Sequence, residues 1–343
     1  MDERQFIRRV LIVIALTGLV FIAWTLRTLL LMLFGAVVVA TVFRAVADRI
    51  ARLTRCPQRL SVVISILVVL GTVAGLIALF GAQVVNQVDT LRETLPLAWR
   101  AFEQRVGDLG LGQQLASLAE SVTAPGSTSL SAFGRTILSL GGGIADVLVV
   151  IVAGIFLAAQ PRLYATGAIT LVPPAKRALA LEAMTESEHA LRLWLRGQLI
   201  AMVVVGTLTG LGLWALGMPS ALTLGLLAGI LEFIPFAGPV LSAIPALLLA
   251  LAASPDLALG VLLLYLAVQQ FESNVLTPLV QQYAVDVPGV ILLFSVLAFG
   301  ALFGVIGVLL AAPLAVVTYV LVKRLYIVEA LHTPTPIPGQ GKR

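Results

Sequence analysis

The chain has 343 residues, of which 59% are hydrophobic and 11% charged, and its mean hydropathy is +1.05. A soluble domain carries about a quarter charged residues, so this composition excludes an ordinary soluble protein and predicts an all-α, polytopic membrane protein in a lipid bilayer. The net charge of +5 does not indicate nucleic-acid binding, because the basic residues lie between apolar segments. A single cysteine, Cys56, excludes an internal disulfide framework.

The N-terminal part, residues 1–82, contains three predicted membrane spans. The first two, 10–26 and 28–43, meet at Arg27, which predicts a tight helical hairpin, and the third covers 60–82. The loop between the second and third spans contains five arginines against one aspartate. The positive-inside rule therefore predicts that this loop and the N-terminus are cytoplasmic.

Residues 83–135 are predicted to form an extracytoplasmic, amphipathic helical region. Apolar side chains recur there at helical spacing, and four arginines against five acidic residues give the region no basic excess. Two interpretations stay open. The region is either an external cap or oligomer contact, or a connecting hairpin with no further role.

The segment 136–198 combines a fourth span with a cytoplasmic helix. The span ends at about residue 160 and contains Asp146, which either pairs with Arg135 near the membrane surface or faces a transport path. Basic residues exceed acidic ones after the span, which predicts a cytoplasmic location. The run 175–196 is predicted to be a helix on the membrane face.

Residues 199–322 form the predicted transport core. One span covers 198–217 and another 257–276, and a long apolar element follows each, at 220–252 and 289–322. A helix of the first element's length would reach about 50 Å, well beyond the ~30 Å hydrocarbon core. Both elements contain glycine and proline, so we expect each to break, and a break at membrane depth must be buried in protein or line a watery cavity.

The predicted breaks suggest an internal repeat. Pro239 and Pro245 superpose on Gly307 and Pro313 at an offset of 68 residues, and paired interrupted segments are typical of transporter binding sites. Two topologies fit: eight full crossings with a parallel repeat, or six crossings and two re-entrant hairpins with an inverted repeat, which element length favours. The residues assigned to helix breaks or gating are Pro235, Gly238, Pro239, Pro278, Gly304, Gly307 and Pro313.

The region 197–322 contains four acidic residues and no lysine, arginine or histidine. A carboxyl group without a basic partner in its own part of the membrane protein is protonated, holds a cation or pairs with a charge from elsewhere. Glu232 lies beside the first break and either caps broken backbone or carries a proton or cation. Glu272 lies in a polar cluster with Gln269 and Asn274, and we interpret these four residues as a substrate- or ion-binding site.

Motifs for catalysis are missing from the sequence. It has no nucleotide-binding glycine loop with its lysine, no HExxH and no cysteine–histidine cluster, so we predict no catalytic residues, no metal site and no cofactor. A serine nucleophile would need a histidine or lysine nearby, and the transport core offers neither. A secondary transporter, a passive channel and a non-transporting scaffold remain.

The tail, 323–343, is polar and rich in proline, and it is predicted to be disordered. Its first two residues, Lys323 and Arg324, predict a cytoplasmic location by the positive-inside rule. Both termini are therefore expected in the cytoplasm.

Four sequence runs resemble the AI-2E family of bacterial membrane transporters. The runs are Trp194-Leu-Arg-Gly-Gln198, Glu232-Phe-Ile-Pro-Phe-Ala-Gly-Pro239, Glu272-Ser-Asn-Val-Leu-Thr-Pro278 and Phe303-Gly-Val-Ile-Gly-Val-Leu-Leu-Ala-Ala-Pro313. The resemblance implies secondary-active export of a small polar solute such as the quorum-sensing signal autoinducer-2, with sodium (lithium)/proton antiport as the alternative. It also implies the bacterial inner membrane and a homo-oligomer, and it adds Gln198 to Asp146 as a further candidate site residue.

Overall fold

The computed structural model describes residues 21–76, 145–281 and 287–333, together with residues 10, 11, 14, 17, 18, 78 and 335. These residues are helical apart from short turns, and no strand occurs among them, which confirms the predicted all-α membrane fold for this part of the chain. The predicted extracytoplasmic region 83–135 and residues 282–286 lie outside the described residues.

The N-terminal helices are α1, Arg27–Thr54, α2, Gln58–Leu76, and α3, Ala145–Ala159. They share a buried cluster that includes Phe43 of α1, Val62 of α2 and Ala158 of α3. Small residues let α1 and α3 approach closely, because a Cβ on Gly154 would lie 2.8 Å from a methyl carbon of Val39.

The junction before α1 differs from the predicted hairpin. Leu26 separates α1 from the helical residues 21–25, and its φ of −89° and ψ of 8° lie near the helical region. The Leu26 N–H donates to Ile22 O, and the Leu30 N–H donates to Leu26 O, both at 2.9 Å. A single residue with near-helical angles cannot reverse the chain, so the tight hairpin prediction is wrong and the two segments meet in a bend.

Two helices of different orientation follow α3. The helix α4, Pro161–Thr170, turns away from α3 by 92° after Gln160. A 3₁₀ turn, Pro174–Lys176, then leads into α5, Arg177–Ala215, which stays helical over 39 residues, or about 58 Å. The predicted helix over 175–196 is therefore confirmed, but its predicted position on the membrane face is wrong, because it continues into the apolar part of α5 as one helix.

The first broken element folds back on itself. It contains α6, Ala221–Leu231, and α7, Ala237–Ala253, joined by a turn over 232–236. Ala221 and Ala250, near the two ends of the element, lie in one buried cluster, although a straight helix would hold them about 43 Å apart. We call this element hairpin 1.

After hairpin 1, Ser254 caps the next helix, since its side chain accepts a hydrogen bond from the Leu257 N–H at 3.2 Å. This helix is α8, Pro255–Phe271. A π-helical turn, Glu272–Leu276, and the short α9, Thr277–Gln281, complete it.

The second broken element is α10, Gly289–Leu321, which bends at Gly304 (φ 63°, ψ −143°). A Cβ on Gly307 would lie 2.0 Å from the Phe299 carbonyl oxygen, although residues eight apart in a straight helix are about 12 Å apart. Val287, just before the element, and Val320, near its end, share one buried cluster. We call this element hairpin 2.

The two hairpins enter the bundle from opposite ends of α5. The ends of hairpin 1 pack with Leu213 near the end of α5, whereas the ends of hairpin 2 pack with Leu191, nearer its beginning. This arrangement favours two re-entrant hairpins over two full crossings. Phe236 and Gly304, which have positive φ angles at the two turns, lie 68 residues apart, the offset expected from the sequence.

Residues 322–330 differ from the predicted disordered tail. They continue α10 as a π-helical segment, Val322–Ala330. Arg324 pairs with Glu182 and reaches Glu186 with an Nε–Oε2 distance of 3.7 Å, so ion pairs attach this segment to α5. We call the neighbouring part of the bundle the charged end, and it also contains the ion pairs of Arg192 with Asp48 and Glu188.

By length and composition alone, five of the described helices could cross a membrane, although one of them, α10, reverses at Gly304. They are α1, α2, α5 with its 3₁₀ turn, α8 with its continuation and α10 with its continuation. The count rises to six if α3 and α4 form one bent span. Many large apolar side chains on these helices are exposed, as expected for surfaces that face lipid.

Four glycines bring α5 and α6 into backbone contact. Gly206 and Gly210 of α5 face Gly225 and Gly229 of α6, and a Cβ on Gly225 would lie 2.4 Å from the Gly210 Cα. Each pair is spaced by four residues, which places both glycines on one helix face, as in the small-residue interfaces of membrane helices. We call this contact the glycine seam, and it holds hairpin 1 against α5.

We expect Gly225→Ala to lower thermal stability by about 1–3 kcal/mol, because the new methyl group has no room in the glycine seam. The matched control is Gly75→Ala in α2, where a Cβ would meet no described atom within 4 Å. Alanine is the better helix former, so the control should keep or slightly raise stability. Thermal unfolding in detergent measures the stability of both variants. Equal stability changes would show that the glycine seam is not packed closely enough to exclude a methyl group.

The hairpin topology can be tested with single cysteines in a Cys56→Ser background. The variants are Asp256→Cys, Pro288→Cys and His332→Cys, all at exposed positions. Hairpins place positions 288 and 332 on one side of the membrane and position 256 on the other. An impermeant thiol reagent, applied to intact cells and to inverted vesicles, reports the side. Labelling of positions 256 and 332 from the same side would support two full crossings.

Candidate functional site

Two of the family-like runs meet at the turn of hairpin 1. The Trp194 ring of α5 packs edge-on against Phe233, with ring centroids 5.9 Å apart. One helical turn further along α5, the Gln198 side-chain Nε2 donates to the Glu232 carbonyl oxygen at 2.6 Å. Gln198 therefore provides a donor for backbone at the point where α6 ends, as interrupted membrane helices require.

The turn itself places Glu232 inside the protein. A Cβ at position 238 would lie 2.1 Å from the Leu231 carbonyl oxygen, so the sharp reversal after α6 requires Gly238. Glu232, the first residue after α6, is only 3% exposed. Its Oε2 atom is buried without a hydrogen-bond partner in the described part of the chain.

Glu272 meets Glu232 from α8. The π-helical turn begins at Glu272, and such turns widen a helix and occur frequently at functional sites. The carboxyl groups of Glu232 and Glu272 lie close together. The Gln269 side-chain Nε2 donates to Glu272 Oε2 at 3.0 Å. The carboxyl groups of Glu232 and Glu272 therefore form one unit, which we call the carboxyl pair.

A small cavity lies beside the carboxyl pair. The space in which the centre of a water molecule fits is about 10 Å³, which is close to the smallest cavity that holds one water molecule. Among the described residues no lysine, arginine or histidine lines it; its walls are Val205, Thr209, Ala228, Pro239, Ser242, Tyr265, Val268, Gln269 and Glu272. Two adjacent carboxyl groups without a basic partner need a proton or a cation between them.

The structure brings together only part of the predicted site. Glu232, Gln269, Glu272 and Gln198 meet as described, and Pro239 lines the cavity. The Asn274 side chain is exposed instead and donates to Gln270 Oε1 at 3.3 Å.

Other predicted residues lie away from the cavity. Gly304, Gly307 and Pro313 belong to hairpin 2, and Pro278 is exposed in α9. Asp146 is half-buried at the start of α3, and its proposed partner Arg135 lies outside the described residues.

Three hydroxyl-bearing residues that line the cavity, Thr209, Ser242 and Tyr265, are not among the predicted site residues. One signal was available for Tyr265, because it precedes Gln269 by four residues and therefore shares its helix face. The glycine seam was also missed, although Gly206 and Gly210 carry the spacing of membrane helix contacts.

Comparison with known proteins agrees with the sequence resemblance. The family model described as AI-2E family transporter matches residues 10–327. The chain belongs to the AI-2E transporter family. As a member of that family it is a membrane transporter or permease, in contact with a lipid bilayer and a transported solute.

Individual relatives of this AI-2E protein match it to different extents. Putative transport protein YueF of Bacillus subtilis is 24% identical over 94% of this chain and 91% of its own length. The AI-2 transport protein TqsA of Escherichia coli is 23% identical over 90% of this chain and 88% of its own. Putative transport protein YrrI of Bacillus subtilis is 32% identical, but the match spans less than half of each chain, 44% and 43%.

We expect Gln198→Leu to destabilise the protein by about 1–3 kcal/mol, because the Glu232 carbonyl oxygen would lose its side-chain donor inside the protein. The matched control is Gln270→Leu, since Gln270 bonds only the exposed Asn274 side chain among the described residues. Thermal unfolding in detergent measures both changes. Equal stability of the two variants would show that the Gln198 hydrogen bond does not support the turn.

Proposed function

We propose that this AI-2E protein is a secondary-active transporter that exports a small polar solute, such as autoinducer-2, and couples export to a proton or cation at the carboxyl pair. The observation that carries the proposal is the contact of Glu232 with Glu272 beside a cavity whose described lining is free of basic residues. Such a pair binds a positive charge readily, since two ionised carboxylates in contact repel each other.

The hairpins give the coupling a structural basis. Hairpin 1 turns at Glu232, and α8 brings Glu272 to the same level, so a movement of hairpin 1 against α8 would separate the carboxyl groups. The free energy of the bound charge would then depend on the position of the hairpin. Hairpins that enter from opposite ends suit a site that opens to each side in turn.

The orientation in the membrane follows from charge. We infer that the charged end faces the cytoplasm of a bacterial inner membrane, because it includes Arg192 and Arg324 and lies near the arginine-rich loop after α1. The C-terminal tail is then cytoplasmic. The cytoplasmic position of the N-terminus stays a prediction from its arginines.

Sodium (lithium)/proton antiport is the second candidate function. The size of the cavity supports antiport, because a space that holds about one water molecule (about 10 Å³ for its centre) admits an ion but not an organic solute.

We expect Glu232→Gln and Glu272→Gln to abolish the dependence of transport on pH or sodium. Glutamine keeps the size and hydrogen bonding of the side chain but cannot titrate. The assay is flux in proteoliposomes with sodium, lithium, protons and autoinducer-2 as candidate solutes. The matched control is Glu329→Gln, an exposed acid in the segment after α10.

The control variant should behave as the wild type. A saturable, gradient-dependent flux identifies a transporter, whereas ionic current without counter-flux identifies a channel. If both glutamine variants keep wild-type flux with unchanged pH and sodium dependence, the carboxyl pair has a structural role only. If the wild type shows no flux of any candidate, the transport proposal in this form is wrong.

A further inference from the structure

The turn of hairpin 1 contains a backbone conformation that residues other than glycine rarely adopt. Phe236 has a φ of 65° and a ψ of −42°. The Ala237 N–H donates to the Pro235 carbonyl oxygen at 2.8 Å, so this hydrogen bond encloses Phe236 alone. The angles and the hydrogen bond together describe a γ-turn of the positive-φ form, which is rare in proteins and strained.

Two comparisons show what is unusual about Phe236. Arg55 and Ser220 also have positive φ angles, but their ψ angles of 20° and 29° place them in the left-handed helical region at helix ends. At the turn of hairpin 2 the positive φ belongs to Gly304, which has no side chain to strain. A glycine would form the hairpin 1 turn at lower cost, and strained residues of this kind cluster at switch regions and ligand clamps. The phenyl ring of Phe236 is therefore the feature of this turn that needs an explanation.

The ring reaches the start of hairpin 2. Its Cζ atom lies 3.8 Å from the position that a Cβ on Gly289 would occupy, which is van der Waals distance. Gly289 is the first residue of α10, and both residues are exposed, Phe236 by 53%. The contact joins two hairpins that enter the bundle from opposite ends. Because it lies at the protein surface, it can open without disturbing the buried core.

The same turn lies between the charged end and the carboxyl pair. Phe233 packs against the buried cluster that contains Trp194 of α5 and residues of hairpin 2. Along α5, Arg192 of the charged end comes first, then Trp194, and then the glutamine that binds Glu232 O. The carboxyl pair is therefore one level deeper in the bundle than the aromatic contacts of the turn, and Phe236 lies at their exposed edge.

We propose that Phe236 and the start of hairpin 2 at Gly289 form a gate between the charged end and the carboxyl pair. The ring closes the gate in this structure, and the gate opens when the γ-turn relaxes and the ring leaves Gly289. The strain lowers the free energy of opening, because part of it is released in the open state. The proposal rests on the proposed function and identifies the residue that controls access to its coupling site from the charged end.

The first test measures access to the carboxyl pair and needs no transport. A water-soluble carbodiimide reacts with the carboxyl groups of Glu232 and Glu272, and mass spectrometry of the purified full chain in lipid nanodiscs measures the rate. Phe236→Ala removes the ring and should raise the labelling rate severalfold, whereas Phe236→Tyr keeps a ring and should be labelled as slowly as the wild type. The control Phe294→Ala removes a similarly exposed ring from α10 and should leave the rate unchanged. An unchanged rate in Phe236→Ala would overturn the gate.

A tether tests the same contact in the opposite direction. Phe236→Cys and Gly289→Cys are combined in the Cys56→Ser background and joined by a short bis-maleimide, which takes the place of the ring between the two backbones. The tether should slow labelling of the carboxyl pair and block flux in proteoliposomes. Each single-cysteine variant, treated in the same way, should keep its labelling rate and flux. Equal or faster labelling after tethering would contradict the gate.

The strain is tested by comparing Phe236→Gly with Phe236→Ala. Both variants lack the ring, and glycine normally lowers stability relative to alanine, because it gains more freedom in the unfolded chain. In the γ-turn this order should reverse, since glycine adopts a positive φ without strain. We therefore expect Phe236→Gly to unfold at the higher temperature in detergent. A higher unfolding temperature for Phe236→Ala would overturn the strained turn on which the gate depends.

The outcomes separate the gate from the transport function. If flux is saturable and gradient-dependent but neither labelling nor flux depends on Phe236, the gate is wrong and the transporter stands. If labelling depends on Phe236 as expected but the wild type transports none of the candidate solutes, the gate is correct and the transport proposal fails.

Discussion

The arrangement of the transport core depends on how closely two helix backbones can approach in a membrane. Lipid gives apolar side chains no reason to leave it, so membrane helices associate through van der Waals contact and hydrogen bonds. In this protein four glycines let α6 lie directly on α5, with Gly229 positioned so that a Cβ would be 2.6 Å from the Met202 carbonyl oxygen. Larger residues would displace hairpin 1 from α5.

This contact sets the level at which hairpin 1 turns. Since α6 lies antiparallel to α5 in the glycine seam, it ends beside Gln198, which provides the side-chain donor for Glu232 O. The position of α8 along α5 is set by two other contacts. Leu264 of α8 packs against Gly212 of α5, and Leu216, which follows α5, packs against Gly260 of α8. The two registers together place Glu232 and Glu272 side by side, and neither helix could move along α5 without separating them.

Local features of the sequence were sufficient to predict the breaks. Length excluded straight helices, and the observed turns at 232–236 and at Gly304 lie within the predicted elements. The isolated acids also identified Glu232 and Glu272. Their contact could not be predicted, because 40 residues separate them and the contact depends on the packing of both helices against α5.

Other differences have similar physical causes. The tail was predicted to be disordered because its composition is polar. Composition does not show that Arg324 forms an ion pair with Glu182, more than a hundred residues away in the sequence. Thr209 could not be distinguished in the sequence from threonines that bond their own helix, because only the structure shows that its hydroxyl lacks a partner among the described residues. The continuity of α5 was not predicted, because its composition changes from charged to apolar along the chain while the backbone stays helical.

The inverted hairpins also have a consequence for membrane insertion. A cell orients nascent spans largely by arginine and lysine in short cytoplasmic loops. The only charged residues in the segments that follow hairpin 1 and α9 are Asp256 and Asp286, and both are acidic. The translocation machinery therefore receives no basic signal between Gly197 and Val322. Insertion of both hairpins must therefore be directed by basic residues at the two ends of the core, since Arg192 and Arg196 precede the apolar part of α5 and Lys323 and Arg324 follow α10.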